Sequence, residues 1–148
     1  MKIRLLLAAS LLSVSLVAQS SDKTEAVATV QKLFDGTAGH DAGMIRSTVL
    51  PDARFYFLRG DTAAASTAAE DFITHITAMN GGLLERFTRQ PSVLINGRIA
   101  QVWGEYEFLR DGKFHHCGID SASLLKTTEG WKIASIVYTS ETSGCPGH

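Results

Sequence analysis

The chain has 148 residues, and its 14 Lys and Arg against 15 Asp and Glu leave a formal net charge of −1. This length predicts one domain rather than two, and the near-neutral charge excludes the strong basic field that nucleic-acid binding requires. Apolar residues make up 45% of the chain and charged residues 20%, so the composition is that of a globular protein and not of a disordered one.

The N-terminus has the three-part pattern of a secretory signal peptide. Lys2 and Arg4 are followed by an apolar stretch without charge, and the sequence AQS then offers small residues for cleavage. We therefore predict a signal peptide over residues 1–20 and one domain over residues 21–148. The protein is then periplasmic or secreted, with no membrane contact after cleavage. The alternative is an uncleaved membrane anchor, for which the apolar stretch is short.

Helices are predicted in the first half of the chain. The first begins at Asp22 and ends near Gly36, because the apolar residues between them recur at helical spacing. This apolar stripe consists of Ala26, Val27, Val30, Leu33 and Phe34. Asp41 is the expected N-cap of a second helix over residues 42–49. A strand over residues 53–58 follows, and then a third helix whose N-cap is Ser66 or Thr67.

The second half of the chain predicts strands over residues 83–95, 98–110, 113–126 and 131–139, the first with a bulge near Pro91. Asn96-Gly97 and Asp111-Gly112 are dipeptides preferred in two-residue hairpin turns. A polar tail, residues 140–148, follows the last strand. Helices grouped early and antiparallel strands grouped late predict an α+β fold.

The hairpin turn after Arg110 pairs that residue with Lys113 and so predicts which side chains share a face of the sheet. Counting outward from the turn, Trp103 lies opposite Asp120. The predicted face consists of Trp103, Glu105, Glu107, His116 and Asp120, joined by Leu124, Trp131 and Ile133. A shift of one residue in the register reverses this assignment.

This face combines apolar residues with ionisable ones, and buried ionisable groups need partners. One interpretation is a pocket with polar groups at its floor, in which His116 is the acid or base because histidine titrates near neutrality. The other is a structural contact between His116 and Asp120. Four residues of a regular strand span about 13 Å, so these two side chains do not touch unless the strand bends or bulges.

The order of the helices and strands resembles that of the NTF2-like (nuclear transport factor 2, SnoaL-like) superfamily. The strongest similarity lies in residues 97–139, GRIAQVWGEYEFLRDGKFHHCGIDSASLLKTTEGWKIASIVYT, in which GWKI resembles that superfamily's last strand. Upstream, GHDAGMIRSTVLPDARFYF over residues 39–57 resembles its second helix and first strand. Small secreted SnoaL-like proteins with an HCG-x-D strand are also similar.

The resemblance implies a cone, in which helices close the open side of a strongly curved antiparallel sheet. Members often bind a small, largely apolar organic molecule in that cone, and many form homodimers through the sheet. For such a ligand, the predicted binding residues are Trp103, Glu105, Arg86 and Trp131. Because most members have no known activity, the fold does not fix the function.

The resemblance also implies an alternative, a proton-transfer enzyme of the dehydratase or isomerase type. Scytalone dehydratase, ketosteroid isomerase and limonene epoxide hydrolase are enzymes of this superfamily. By position, His116, Asp120 and Tyr56 are the candidate catalytic residues, although no flanking motif matches closely. Limonene epoxide hydrolase uses an Asp–Arg–Asp arrangement, for which Arg86 and Asp120 are available here without a clear second Asp. A third hypothesis is a dimeric interaction module whose own side chains fill the cavity.

The two cysteines, Cys117 and Cys145, allow several interpretations. In an exported protein, a disulfide between them would tie the C-terminal tail to the sheet. A zinc site with His115 and His148 is an alternative, but the spacing matches no familiar zinc finger. Free thiols are the third possibility. We predict the disulfide and no metal. The sequence contains no phosphate-binding glycine loop, so we expect no cofactor.

Overall fold

The computed structural model describes the backbone of residues 6–148 and the side chains of residues 20–148. The first five residues, which hold the charged start of the predicted signal peptide, lie outside the described residues. The elements are α1 (Leu6–Ala38), α2 (Ala42–Thr48), β1 (Val49–Arg59), β2 (Ala65–Ala68), α3 (Ala69–Ala78), β3 (Leu83–Phe87), β4 (Ser92–Asn96), β5 (Ile99–Arg110), β6 (Lys113–Thr127) and β7 (Gly130–Ser140). In this part of the chain, no helix combines the length and the apolar character needed to cross a membrane.

The first two predicted helices are present, but only the second begins where predicted. The Asp41 carboxylate accepts a hydrogen bond from the N–H of Met44 at 2.9 Å and so caps α2. α1 does not begin at Asp22 but includes it. The Asp22 side chain instead forms an ion pair with Lys126 of β6 and holds α1 against the sheet.

The third helix begins later than predicted. Ser66 and Thr67 lie in the short strand β2, where they pair with β1. Ala68 occupies the N-cap of α3 and forms no side-chain hydrogen bond. The predicted caps are wrong because pairing with β1 draws these residues into the sheet.

The strands form one sheet of seven in the order β2-β1-β7-β6-β5-β3, with β4 also paired to β5. β1 and β7 run parallel, and the other neighbours run antiparallel. The α+β class is confirmed, although the sheet is mixed and not purely antiparallel.

The predicted strand over residues 83–95 is divided into β3 and β4. Both pair with the same edge of β5, β3 along its second half and β4 along its first. Between them the N–H of Thr88 still donates to the carbonyl of Glu105 at 2.9 Å. Pro91 has no N–H to donate, which suits its place in the break rather than within a paired strand.

The hairpin of β5 and β6 contains a β-bulge that was not predicted. Arg110 pairs with Lys113 as expected, but the register then shifts by one residue and Phe108 pairs with His116. His115 is the extra residue on the bulged strand. Beyond the bulge, the His116 and Asp120 side chains of β6 therefore share a face with the β5 residues Tyr106 and Phe108, and not with the predicted Trp103, Glu105 and Glu107.

This bulge corrects the predicted faces. The side of the sheet that faces the helices, called the concave face here, carries Tyr106 and Phe108 together with His116 and Asp120. The convex face, directed away from the helices, carries Trp103, Glu105, Glu107, Cys117 and Ile119. The prediction that Trp103 and the two glutamates share a face with His116 and Asp120 is wrong.

The helices pack across the concave face and form the core. α1 contacts β3, β4, β5 and β7, and α3 contacts β1 and β2. Four residues of the predicted α1 stripe, Ala26, Val30, Leu33 and Phe34, are at most 3% exposed. The Phe34 ring meets that of Phe87 edge-on, with 5.1 Å between their centroids. The apolar faces of the helices thereby close one side of the curved sheet and leave a cone-shaped space between helices and sheet.

The C-terminal tail is covalently joined to the sheet. Cys117 of β6 and Cys145 of the tail form a disulfide, as predicted. The backbones of Cys117 and Glu141 also exchange two hydrogen bonds of 2.8 and 2.9 Å. Because both thiols are used in the disulfide, the alternative zinc site is not formed and its cysteines are not free.

The last residue of the chain is also bound to the sheet. The ring of His148 stacks on Phe114, with 3.9 Å between their centroids. Its Nε2 donates a hydrogen bond of 2.9 Å to the carboxylate of Glu107. This hydrogen bond and that from Arg86 lower the pKa of Glu107. The tail is therefore held by the disulfide, by backbone pairing and by the contacts of His148.

Candidate functional site

A cavity of about 860 Å³ lies between the concave face of the sheet and the helices. Its aromatic lining comprises Phe34, Phe55, Phe57, Phe72, Tyr106, Phe108 and Tyr138. Several of these rings support one another: Phe55 packs on Phe72 at 4.9 Å, and Phe57 stacks on Tyr138 at 5.4 Å, between centroids. Cavities of this size with a mainly apolar wall and few polar groups are typical of sites for small organic molecules.

Two carboxyl groups meet in this cavity. Glu85 extends from β3 and Asp120 from β6, and β5 lies between these strands. The two carboxyl groups lie within hydrogen-bonding reach of each other. Among the described residues, no N–H or hydroxyl group donates to Oδ2 of Asp120, which is 3% exposed as a residue.

Burial raises the pKa of both carboxyl groups because it disfavours their charged forms. The pKa of Asp120 rises from 3.8 to about 7, and the hydrogen bond with Glu85 limits this rise. The pKa of Glu85 rises well above its usual value, first through burial and then through the neighbouring charge of Asp120. Two such groups can hold one proton between them, with the protonated carboxyl donating to the ionised one. The pair can therefore give or take a proton near neutral pH.

The tyrosine beside this pair already uses its hydroxyl proton. Tyr106 donates a hydrogen bond of 2.7 Å to the carbonyl of Thr139, and burial raises its pKa. A Cβ atom added to Gly118 would lie 2.0 Å from that same carbonyl oxygen, so a glycine at this position allows the carbonyl to turn inward. The Tyr106 hydroxyl therefore donates its hydrogen bond to the protein backbone and not to a ligand.

His116 lines the cavity as a neutral aromatic ring. It stacks on Phe108 with 4.8 Å between centroids, and its Nδ1 lies 2.8 Å from Nδ1 of His115. Burial is the main cause that lowers its pKa to about 4, and the charges of His115 and Arg59 act in the same direction. In the described part of the chain, its ring bonds to His115 and not to Asp120. The predicted structural contact between His116 and Asp120 is therefore not formed.

Of the predicted site residues, His116 and Asp120 face the cavity and the others do not. Tyr56 lies on the convex face because it alternates with the inward-facing Phe55 and Phe57, and it is 43% exposed. Trp103 is 46% exposed on the same face. The bulge in β6 explains its position, since the prediction assumed an uninterrupted register.

The remaining predicted ligand-binding residues are also outside the cavity. Arg86 forms an ion pair of 2.6 Å with Glu107, and Glu105 forms one of 2.5 Å with Arg89, all on the convex face. Trp131 does share the concave face with Leu124 and Ile133, as predicted, but it is buried in the hydrophobic core and does not line the cavity.

Glu85 is the site residue that the sequence analysis missed. Its neighbour Arg86 is among the predicted ligand-binding residues, whereas Glu85 is not. The sequence does contain a signal, because Leu83 and Phe87 are apolar and alternate in step with Glu85 along the strand. In the structure these three side chains face inward, and Arg86 faces outward.

No protein-family model and no curated protein sequence matches this chain. An NTF2-like superfamily protein from Salmonella enterica serovar Typhimurium matches by structure with a TM-score of 0.69 and 16% identity, covering 88% of this chain and 98% of that one. An NTF2-like protein with a cystatin-like fold from Novosphingobium aromaticivorans gives a TM-score of 0.69 and 16% identity, over 99% of this chain and 94% of that one.

The chain has the NTF2-like fold. A further NTF2-like protein, of unknown function and from Shewanella baltica, gives a TM-score of 0.65 and 16% identity over 84% of this chain and 97% of that one. The resemblance drawn from the sequence is confirmed at the level of the NTF2-like fold. At these identities the similarity concerns the fold alone, so the function has to be argued from the cavity itself.

Proposed function

We propose that this protein binds a small organic molecule with an aromatic or otherwise apolar body inside its cone. The observation that carries the proposal is the cavity of about 860 Å³, whose lining includes seven Phe and Tyr side chains. The Glu85 and Asp120 carboxyl groups form a hydrogen-bonding end that would orient the molecule. Contact with the aromatic side chains of the wall would supply much of the affinity.

Binding of N-phenyl-1-naphthylamine, a neutral aromatic dye whose fluorescence rises in apolar surroundings, tests this proposal. We expect saturable binding with a dissociation constant in about the micromolar range. Met79→Trp, which adds bulk to the cavity lining, is expected to weaken binding at least about tenfold. Leu94→Trp adds the same bulk at a site that is 73% exposed, and it is the matched control. Equal binding by both variants, or none by the unmodified protein, would contradict the proposal.

We also propose that this protein is exported from the cytoplasm to the periplasm or the medium. The uncharged apolar stretch after Lys2 and Arg4 supports a signal peptide. The disulfide between Cys117 and Cys145 is a bond expected of a protein in an oxidising compartment. Mass spectrometry of the exported protein tests it, since cleavage after residue 20 gives a chain that begins at Ser21.

We also propose that two copies associate through the convex face. Tyr56, Val137, Ser121 and Trp103 lie in one row across β1, β7, β6 and β5, and its three large side chains, Tyr56, Val137 and Trp103, are 43%, 55% and 46% exposed. A row of large apolar side chains near the middle of a sheet suits an interface related by twofold symmetry. Sedimentation at increasing protein concentration tests this, and a Trp103→Glu variant is expected to stay monomeric.

A second candidate function is proton transfer to or from the bound molecule. The specific observation in its favour is the contact of Glu85 with Asp120, whose pKa of about 7 suits a general base at neutral pH. The ionised Asp120 would remove a proton from a carbon next to a carbonyl group of the bound molecule. The protonated Glu85 would donate a hydrogen bond to the oxygen of that carbonyl group. This pair replaces the predicted use of His116 together with Asp120.

Deuterium exchange into 2-tetralone, a bicyclic ketone with acidic hydrogens beside its carbonyl, tests the second function. We expect the protein to speed exchange in heavy water, followed by NMR, and Asp120→Asn to slow the catalysed exchange by about 100-fold or more. Tyr56→Phe, which changes a predicted catalytic residue on the convex face, is expected to leave it unchanged. Exchange that is no faster than in buffer alone would count against an enzyme of this type.

A further inference from the structure

The mouth of the cavity carries two arginines that differ from those on the convex face. Arg59 ends β1 and Arg110 ends β5, and both line the cavity. On the convex face, Arg86 and Arg89 each have a carboxylate within 2.6 Å. Among the residues that the structure describes, neither Arg59 nor Arg110 forms an ion pair. The cavity mouth therefore offers guanidinium groups that are not neutralised by a carboxylate in contact.

Arg59 is held in place by aromatic rings of the cavity wall. Its guanidinium carbon lies 4.6 Å from the centroid of the Phe57 ring, which itself stacks on Tyr138. Burial raises the pKa of Tyr138, and the adjacent Arg59 guanidinium opposes that rise. A guanidinium stacked on an aromatic face loses little further freedom when its planar N–H groups bind an anion.

The two ends of the cavity differ in the charge that they accept. Asp120, which is aligned with Phe57 through Tyr138, is 3% exposed, whereas Arg59 lies two residues, roughly 7 Å, further along β1 and is exposed. An anionic group placed deep in the cone would meet the Glu85–Asp120 pair, where an additional buried negative charge is unfavourable. At the mouth the same group would meet Arg59 and Arg110, with the acidic Asp71 and Glu141 also on the rim but outside ion-pair distance of either arginine.

We infer that the ligand is an amphipathic aromatic anion, bound with its ring system inside the cone and its anionic group at Arg59. This inference rests on the proposed binding function and adds the chemical class of the ligand. Arg59 binds the anionic group through two N–H groups, in the fork geometry that matches a carboxylate or a sulfonate. Arg110 adds positive charge at the same rim. The opposite end of the ligand, which meets Glu85 and Asp120, is uncharged and able to form hydrogen bonds.

Two dyes that differ only in one anionic group test the inference. 8-Anilinonaphthalene-1-sulfonate carries a sulfonate on the ring system of N-phenyl-1-naphthylamine. We expect Arg59→Gln to weaken binding of the sulfonate dye about tenfold, because a charge-assisted hydrogen bond is lost. Binding of the neutral dye is expected to stay within about twofold, and Arg59→Lys to retain part of the preference for the anion.

Arg54→Gln is the matched control. Arg54 lies on the same strand, but its Nη2 donates to Ser66 at the opposite side of the sheet from the cavity. This variant is expected to bind both dyes as the unmodified protein does. If Arg59→Gln weakens neither dye, or both equally, the anion site is wrong while the binding function stands. If neither dye binds the unmodified protein, the proposed function itself fails. Circular dichroism confirms that each variant is folded.

Discussion

Asp120→Asn is expected to stabilise the protein by about 2 to 4 kcal/mol at pH 8 and to give no gain near pH 4. In the folded protein the pKa of Asp120 is about 7, against 3.8 for an exposed Asp. The folded state therefore binds more protons than the unfolded state between these pH values. As a result, Asp120 lowers the free energy of unfolding progressively as the pH rises from about 4 through 7. Asn carries no charge to bury and can still form a hydrogen bond with Glu85.

The measurement is the free energy of unfolding in urea at several pH values, taken as the difference between variant and unmodified protein. This difference removes the opposite contribution of His116, whose lowered pKa makes the unmodified protein less stable as the pH falls from 6.5 toward 4. Asp71→Asn makes the same chemical change at the exposed rim of the cavity and is expected to shift stability by less than about 0.5 kcal/mol. A stability difference for Asp120→Asn that is constant from pH 4 to pH 8 would argue against a buried proton-binding pair.

Removing the disulfide with Cys117→Ala and Cys145→Ala together is expected to lower the free energy of unfolding by about 3 kcal/mol. The two cysteines are 28 residues apart, so the bond closes a long loop and restricts the unfolded chain. In the folded state the variant keeps the two backbone hydrogen bonds between residue 117 and Glu141. Urea denaturation of the double variant and of the unmodified protein, with and without reductant, measures this loss.

His148→Ala provides the comparison for the disulfide. It removes the stacking on Phe114 and the hydrogen bond to Glu107 but leaves the covalent bond intact. Because these contacts are partly exposed, we expect it to cost no more than about 1 kcal/mol. Reduced protein that unfolds at the same urea concentration as oxidised protein would show that the disulfide does not support the fold.

The two proposed functions share one cavity and depend on different parts of it. Binding requires the aromatic wall, and the anion preference requires Arg59 at the mouth. Proton transfer requires Asp120 in contact with Glu85. Variants of Met79, Arg59 and Asp120 therefore separate binding, ligand class and chemistry from one another.

Most secondary structure was predictable because its signals are local. Asp41 caps α2 through its own side chain, and the turn after Arg110 is formed by the dipeptide that follows it. The errors occur where pairing with a strand far away in the sequence determines the secondary structure. Ser66 and Thr67 can cap a helix, but pairing with β1 places them in β2 instead. Local propensity cannot reveal such pairing.

The candidate site was only partly predictable, because one extra residue in a strand reverses the face of the sheet on which the following side chains lie. With His115 as a bulge, Asp120 joins the concave face while Trp103 moves to the convex one. Nothing in the residues of β6 distinguishes a bulge at this position from a regular strand. Glu85 lies inside because it alternates in step with the apolar Leu83 and Phe87, whereas the predicted binding residue Arg86 faces outward.

The sequence by itself determined the α+β class, the hairpin turn after Arg110 and the apolar stripe of α1. These features follow from side-chain periodicity, turn chemistry and composition, which act over a few residues or over the whole chain. Only the tertiary structure decided that Glu85 meets Asp120 and that Arg59 stands at the mouth of the cavity. Those positions depend on sheet order and on one-residue shifts of register, and both are set by packing between segments far apart in the chain.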